Sequence, residues 1–345
     1  MAVSWSWAFG QESSLILETE MAWEFDNTDP GRGQPSNTFT YTYAGSPARF
    51  SWAQDDGGGF LRPPTAVFSP AGWLTMAVYA NGLWQTGRTL MQVLGGASNR
   101  NIAITVQNGA TETFQLLVDN TFKASFTMTA NDWHYVALQY DMSGVTWEGR
   151  VFVDGAAATA LFTDPRSAET TGSFSFAGAV NGNLTEYIAQ IVVYDSTGDV
   201  GEVPRFVTRI SPDTDSSDTG TWVPPSGAGA QVAVTANDPF NSATFTEATT
   251  PVSGNQVTTT FAASLTTQLG LAPTNIDGVT GHSYSSGTAI QCFAATGSAG
   301  TFTNGANYTP DLVDTTYGFA TAPINPATAA AWAAGDTVQL KYEIV

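Results

Sequence analysis

Cysteine occurs once in 345 residues, at Cys292, so the chain can form no disulfide within itself. That thiol lies in A-I-Q-C-F-A and reads as a small buried hydrophobe, and the lack of disulfides fits synthesis in a cytoplasm. Charged residues make up 12% of the chain, about half the ~25% of an ordinary soluble protein, which argues against disorder and against a salt-bridged helical surface. Lysine occurs only at Lys123 and Lys341, and no basic cluster exists that could neutralise phosphates. Nucleic acid and anionic lipid are therefore not expected as partners. The N-terminus, M-A-V-S-W-S-W-A-F-G-Q-E, has no basic residue before Arg32 and no continuous apolar run. Neither a cleaved leader nor membrane insertion is expected.

What is present is acidic, aromatic and rich in turns. The net charge is −19, and aromatics make up 12%. Residues 1–197 hold 18 acidic and 8 basic groups, and residues 198–345 hold 12 and 3, so the acidity is evenly spread and serves solubility. The clearest local signal is Asn131 to Gly155. Val136, Leu138 and Tyr140 share one strand face while Tyr135, Ala137 and Gln139 share the other. Asp141 to Gly144 suits a type I turn, Val151 to Val153 follow as a second strand, and Asp154-Gly155 closes it.

Along the chain, Trp5 and Trp7, Leu15 to Leu17, Met21 to Phe25 and Thr38 to Tyr43 read as strands, with a flexible loop at Asp55 to Gly59. No proline occurs from Ala71 to Asp164, which marks where central strands can lie. Strands are expected at Trp73 to Tyr79, Thr89 to Leu94, Ile102 to Val106, Thr113 to Val118, Phe122 to Met128, Phe174 to Phe176 and Glu186 to Tyr194. A linker composition at Asp195 to Pro204 divides the chain into domains 1–197 and 198–345. Beyond it, strands are expected at Phe206 to Ile210, Gln231 to Thr235, Val257 to Phe261, Ile276 to Val279, Ala289 to Ala294, Thr315 to Ala320 and Val338 to Ile344. Ser211 to Gly220 reads as an acidic, serine-rich loop. One short helix is expected at Pro326 to Ala334, capped by Asn325 and ended by Gly335.

The window Trp73 to Tyr194 resembles the concanavalin A-like, laminin G-type jelly rolls. W-L-T-M-A-V-Y looks like an early core strand of that family, and Asn131 to Ala137 is similar to its W-H-x-V-A strand. Arg150 to Gly155 looks like its Y-V-D-G strand and turn, and Glu186 to Tyr194 resembles its closing strand. The C-terminal half is similar to a module of tailed-bacteriophage virion proteins at Pro204 to Pro212, Thr221 to Pro224 and Asn325 to Trp332. The resemblances imply an all-β chain, an N-terminal jelly-roll sandwich followed by a smaller β-sandwich.

Catalytic patterns are hard to find. Jelly-roll glycoside hydrolases resemble one another in an E-x-D-x-x-E or E-x-D-x-E strand, and Glu18, Glu20 and Glu24 do not reproduce it. His134 and His282 are isolated, which gives no zinc spacing. His134 reads as a satisfied sheet residue. Calcium is the one cofactor left open, because laminin G-type domains often hold it at loop carboxylates; Asp26 with Asp29, and Asp55 with Asp56, are the candidate ligands. Such pairs also arise by chance in an acidic chain. For a sugar, the candidate is Trp84 in A-N-G-L-W-Q-T-G, whose flanking glycines suggest a loop, although a core tryptophan is the competing reading.

These expectations converge on a non-enzymatic structural protein of a bacteriophage virion: a capsid decoration, fibre or tail protein displaying a lectin-like domain. Its partners would be other virion proteins, copies of itself and host surface glycan. The alternative is a host-attachment adhesin that binds glycan through the jelly roll.

Overall fold

The computed structural model describes residues 3–7, 33–41, 49–54, 68–84, 86–96, 100–176, 185–195, 214–219, 222–223, 247–248, 251–260, 264–266, 276–285, 290–310 and 316–345. The fold is all-β, and every strand pair among these residues is antiparallel. Two compact units divide the chain, Val3–Thr208 and Arg209–Val345.

In the first unit the strands are β1 Val3–Trp7, β2 Gly33–Tyr41, β3 Arg49–Gln54, β4 Ala71–Asn81, β5 Thr89–Gly95, β6 Asn101–Asn108, β7 Thr113–Val118 and β8 Thr121–Thr127. They continue with β9 Trp133–Asp141, β10 Thr146–Val153, β11 Ala156–Ala157, β12 Phe162–Pro165, β13 Gly172–Phe176 and β14 Thr185–Tyr194. A nine-stranded sheet runs β11-β10-β9-β4-β14-β3-β2, with β12 beside β10 and β1 beside β14. A five-stranded sheet runs β13-β5-β6-β7-β8.

The proline-free window supplies the centres of both sheets. At β4, Leu74 stands opposite Leu138 of β9 and Val193 of β14. Alternation puts Leu74, Met76, Val136, Leu138 and Tyr140 on one side. The Tyr140 ring meets Phe174 of β13 at 5.9 Å, so this side lies between the sheets. The expected hairpin is β9 and β10. Ser143 donates from its backbone N and Oγ to Asp141 Oδ1 (2.9 and 2.6 Å). Asp154 and Gly155 both adopt positive φ, 52° and 84°, the backbone that a two-residue reversal into β11 requires.

The second unit contains β15 Thr214–Thr219, β16 Trp222–Val223, β17 Glu247–Ala248, β18 Gln256–Thr260, β19 Val279–Ser285, β20 Cys292–Ser298, β21 Thr301–Asn304, β22 Thr316–Ala322 and β23 Gln339–Ile344. A five-stranded sheet, β15-β18-β23-β20-β21, packs on the pair β19 and β22. The contact uses a hydroxyl: Thr296 Oγ1 donates to Ala320 O (2.7 Å) and accepts from Gly281 N (2.9 Å). Leu265, Ala322, Trp332 and Val338 form the apolar cluster of this smaller sandwich.

Three local expectations are corrected. Pro326 to Ala334 is a turn and not a helix. Asn325 Oδ1 does accept from Ala327 N (2.9 Å), as a cap would. Ala329 then turns left-handed (φ 55°), and Asn325 bridges back to Ala330, because Trp332 is anchored inside by Nε1 donating to Ala322 O. Thr214–Thr219, expected within a loop, is the edge strand β15, paired to β18 on one side. An edge tolerates acidic and polar residues that a central strand would not. Ile276 makes only an isolated bridge, to Trp332, and the strand starts at Val279. The expected strands at Leu15 to Leu17, Met21 to Phe25, Phe206 to Ile210 and Gln231 to Thr235 lie outside the described residues.

Candidate functional site

The five-stranded sheet of the first unit has two chemically different faces. Toward the other sheet it turns Val93, Ile102, Ile104, Phe114, Leu116, Val118 and Phe174, all buried. Strand alternation turns Gln92, Asn101, Ala103, Thr105, Gln115, Ser125 and Ser175 the other way. Side-chain amides and hydroxyls make up most of this outer face, with Leu94 and Leu117 in the same phase and Ala103, Leu117 and Ser175 buried. Across its five strands the only charged residue is Lys123. Asn101 Nδ2 donates to Gln92 Oε1 (2.9 Å), linking two neighbouring strands across the face. Phe122 stands at the rim, opposite Leu117 and 55% exposed.

Lys123 is drawn away from that face. It occupies a bulge in β8 and forms an ion pair with Asp164 of β12, at the edge of the other sheet. Arg166 Nε approaches the same carboxylate at 3.4 Å. Asp164 pairs in register with the buried Trp147, so it points inward at the open side of the sandwich. Inward charges of this kind discourage further strands from adding to an edge.

Thr105 is the unusual member of the outer face. Its residue is 9% exposed, and its Oγ1 is buried without a hydrogen-bond partner. Its cross-strand neighbours are Thr89 and Gln115. An unpaired buried hydroxyl costs free energy that a ligand oxygen or nitrogen could recover.

The sugar candidate Trp84 is placed elsewhere. It does sit in a loop, between Gly82 and Gly87 with positive φ (99° and 87°). Its indole, however, is 1% exposed; Nε1 donates to Met128 O (3.1 Å), and the ring meets Phe114 edge-on at 5.0 Å. It offers no face to a ligand and belongs to the core. The glycines reported the backbone correctly but not the direction of the side chain.

His134 is buried in β9. Nδ1 lies 2.7 Å from Asp154 Oδ2, and Nε2 lies 3.1 Å from both Thr129 Oγ1 and Thr129 O. Asp154 Oδ1 accepts from Tyr135 N (2.8 Å), so the carboxylate is fastened to the same hairpin. His282 lies in β19, in register with Phe319. The calcium candidates Asp26, Asp29, Asp55 and Asp56 lie outside the described residues. Among the described residues, no group of three or more His, Cys, Asp or Glu could hold a metal ion, and no helix is long and apolar enough to cross a membrane.

The outer face escaped the sequence reading. Its signal is the polar phase of successive strands: Gln92, then Asn101 and Thr105, then Gln115, then Ser125, with no charge among them. Reading each strand for its apolar phase alone passes over this.

No family model and no curated protein matches the chain. Several solved structures do. A Trypanosoma rangeli sialidase in complex with the inhibitor DANA matches at 14% identity and TM-score 0.35, over 49% of this chain and 28% of the sialidase. The chain thus spans less than a third of that enzyme. Domain 4 of a GH43 extracellular arabinanase from Geobacillus stearothermophilus, in complex with arabinotriose, matches at 14% identity and TM-score 0.35, over 56% of this chain and 93% of that one. A conserved carbohydrate esterase from the Shiga toxin-encoding bacteriophage phi24B matches at 13% identity and TM-score 0.38, over 56% and 99%. These findings correct the expectation that the chain is not an enzyme, since the structures it matches are enzymes or domains of them. The missing E-x-D strand had excluded one hydrolase pattern and no more. With TM-scores below 0.5, the same matches assign no activity to this chain.

Proposed function

We propose that the chain is a virion-surface protein of a bacteriophage whose first unit, a jelly roll of the laminin G type, binds glycan through the outer face of its five-stranded sheet. One observation carries the reading: five adjacent strands present amides and hydroxyls on one face, with Lys123 as their only charge and that charge turned to Asp164. A sugar ring offers hydroxyls that donate and accept at once, together with an apolar C–H surface. Gln and Asn amides match the first property, and an exposed Phe122 at the rim matches the second. The virion assignment is supported by the segments Pro204 to Pro212, Thr221 to Pro224 and Asn325 to Trp332, which resemble a module of tailed-phage particles. Within such a particle the chain would act in host attachment, assembled with other virion proteins and with copies of itself.

A glycan array probed with the purified full chain tests the binding, and mass spectrometry of purified particles tests the location. An array without hits removes the glycan reading, and particles without this chain remove the virion reading.

A further inference from the structure

We infer that the glycan taken by this face is neutral, and that Thr105 Oγ1 is one of its hydrogen-bonding partners; both points rest on the glycan-binding reading above. Sialic and uronic acids are held by cations, above all by the paired N–H groups of arginine. Among the described residues the outer face offers none. Lys123 is committed to Asp164, where Arg166 joins it. Arg100 lies 3.6 Å from Asp119, and Arg150 donates to Gln139 Oε1 (2.6 Å) and covers the Phe152 ring. Arg88 is buried. A chain of net charge −19 also repels a polyanion before contact.

Thr105 adds a positive requirement. Its hydroxyl is the one outer-face group among the described residues that is buried and without a partner, although two half-buried polar side chains, Thr89 and Gln115, flank it. A sugar hydroxyl would complete it once a neighbouring side chain swings aside, because Oγ1 itself has almost no open surface. Sites that hydrogen-bond a substrate hydroxyl discriminate strongly against ligands that lack one.

The test uses the full chain on an array carrying neutral oligosaccharides of glucose, galactose and mannose beside sialylated and uronate-containing ones. Calorimetry then follows the strongest hit in low salt and in about 0.5 M NaCl, where charge pairing is screened within a few ångströms. Binding confined to neutral sugars with an unchanged Kd is the expected result. Thr105→Val keeps the side-chain shape and should weaken that binding about tenfold while leaving Tm unchanged or higher. Hits on acidic sugars with affinity that falls in salt overturn the inference while the glycan reading stands. An array without hits overturns both. Full affinity in both Thr105→Val and Phe122→Ala moves the site off this face and overturns the role given to Thr105.

Discussion

The two sheets of the first unit treat their outward faces in opposite ways. On the nine-stranded sheet, Trp73, Tyr135, Ala137, Phe152, Val192 and Tyr194 lie on the side turned away from the sandwich interior, yet all are buried. The Trp73 and Phe152 rings meet there at 5.3 Å, tilted by 47°. On the five-stranded sheet the corresponding side carries Gln92, Asn101, Thr105 and Gln115. One sheet is apolar on both faces, as strands covered on both sides must be, and the other turns mostly polar residues outward, with Ala103 and Leu117 buried among them. A sheet that hides both faces serves stability, and the sheet with the mostly polar, uncharged face is the one proposed above to meet a ligand.

The sharpest way to break this comparison is Phe152→Ala. Phe152 is 6% exposed although it points away from the second sheet. If that outward face is a true core, truncation costs about 3–5 kcal/mol, read as a large loss of Tm or of denaturation midpoint. A cost under about 1 kcal/mol would mean the face behaves as surface, and the contrast between the sheets would fail.

Part of this was legible from sequence and part was not, for physical reasons. The hairpin around Asp141 and Asp154-Gly155 was legible because turn chemistry is local: Asp141 accepts from Ser143, and positive φ falls where Asp-Gly predicts it. Asn325, Pro326 and Gly335 gave an equally good local signal for a helix, and it was overridden by Trp332 packing at a distance. The strand β15 was missed because an edge needs no apolar phase. Trp84 shows the same limit, since flanking glycines describe a loop and say nothing of where the indole goes. The outer face is less legible for a different reason: in β6 and β7 the apolar half of the alternation marks the strand, and the polar half marks only which side turns outward.

The open side of the sandwich should respond next most strongly. Asp164 faces both Lys123 and Arg166, with side chains at most one-fifth exposed, although the contacts are charge pairs rather than well-directed hydrogen bonds. Asp164→Ala leaves two inward cations without their shared partner and should cost about 2–3 kcal/mol. Adding Lys123→Met to that variant should return part of the loss, because an unpaired cation is then removed. If the double variant is no more stable than the single one, the edge is not held by charge.

Tyr140 tests the interior between the sheets by pH. Its hydroxyl donates to Ser69 O (3.0 Å), and burial, with the Asp195 and Asp141 carboxylates adding to it, pushes the phenol well above its ordinary value. The unfolded chain therefore loses this proton first, near pH ~10, and stability falls as pH rises beyond that by about 1.4 kcal/mol per unit. Below pH ~10 the contribution is fully present. Tyr140→Phe should flatten the fall seen in alkaline chemical denaturation; an unchanged slope would assign the fall to other groups.

The smallest expected effect on folding is the most informative about function. Gln115 occupies the outer face of β7, half-buried, between Thr105 of β6 and Ser125 of β8. Its cross-strand partners are both polar, so Gln115→Ala should change stability by no more than about 0.5 kcal/mol in either direction. Phe152 of the other sheet also faces outward, and its truncation is expected to cost several times more. That ratio turns the contrast between the sheets into a measured quantity. If Gln115→Ala also lowers affinity for the array hit while Tm stays fixed, the amide is spent on the ligand and not on the fold. Should it instead destabilise as Phe152→Ala does, the polar face would be structural, and the binding site would have to be sought elsewhere.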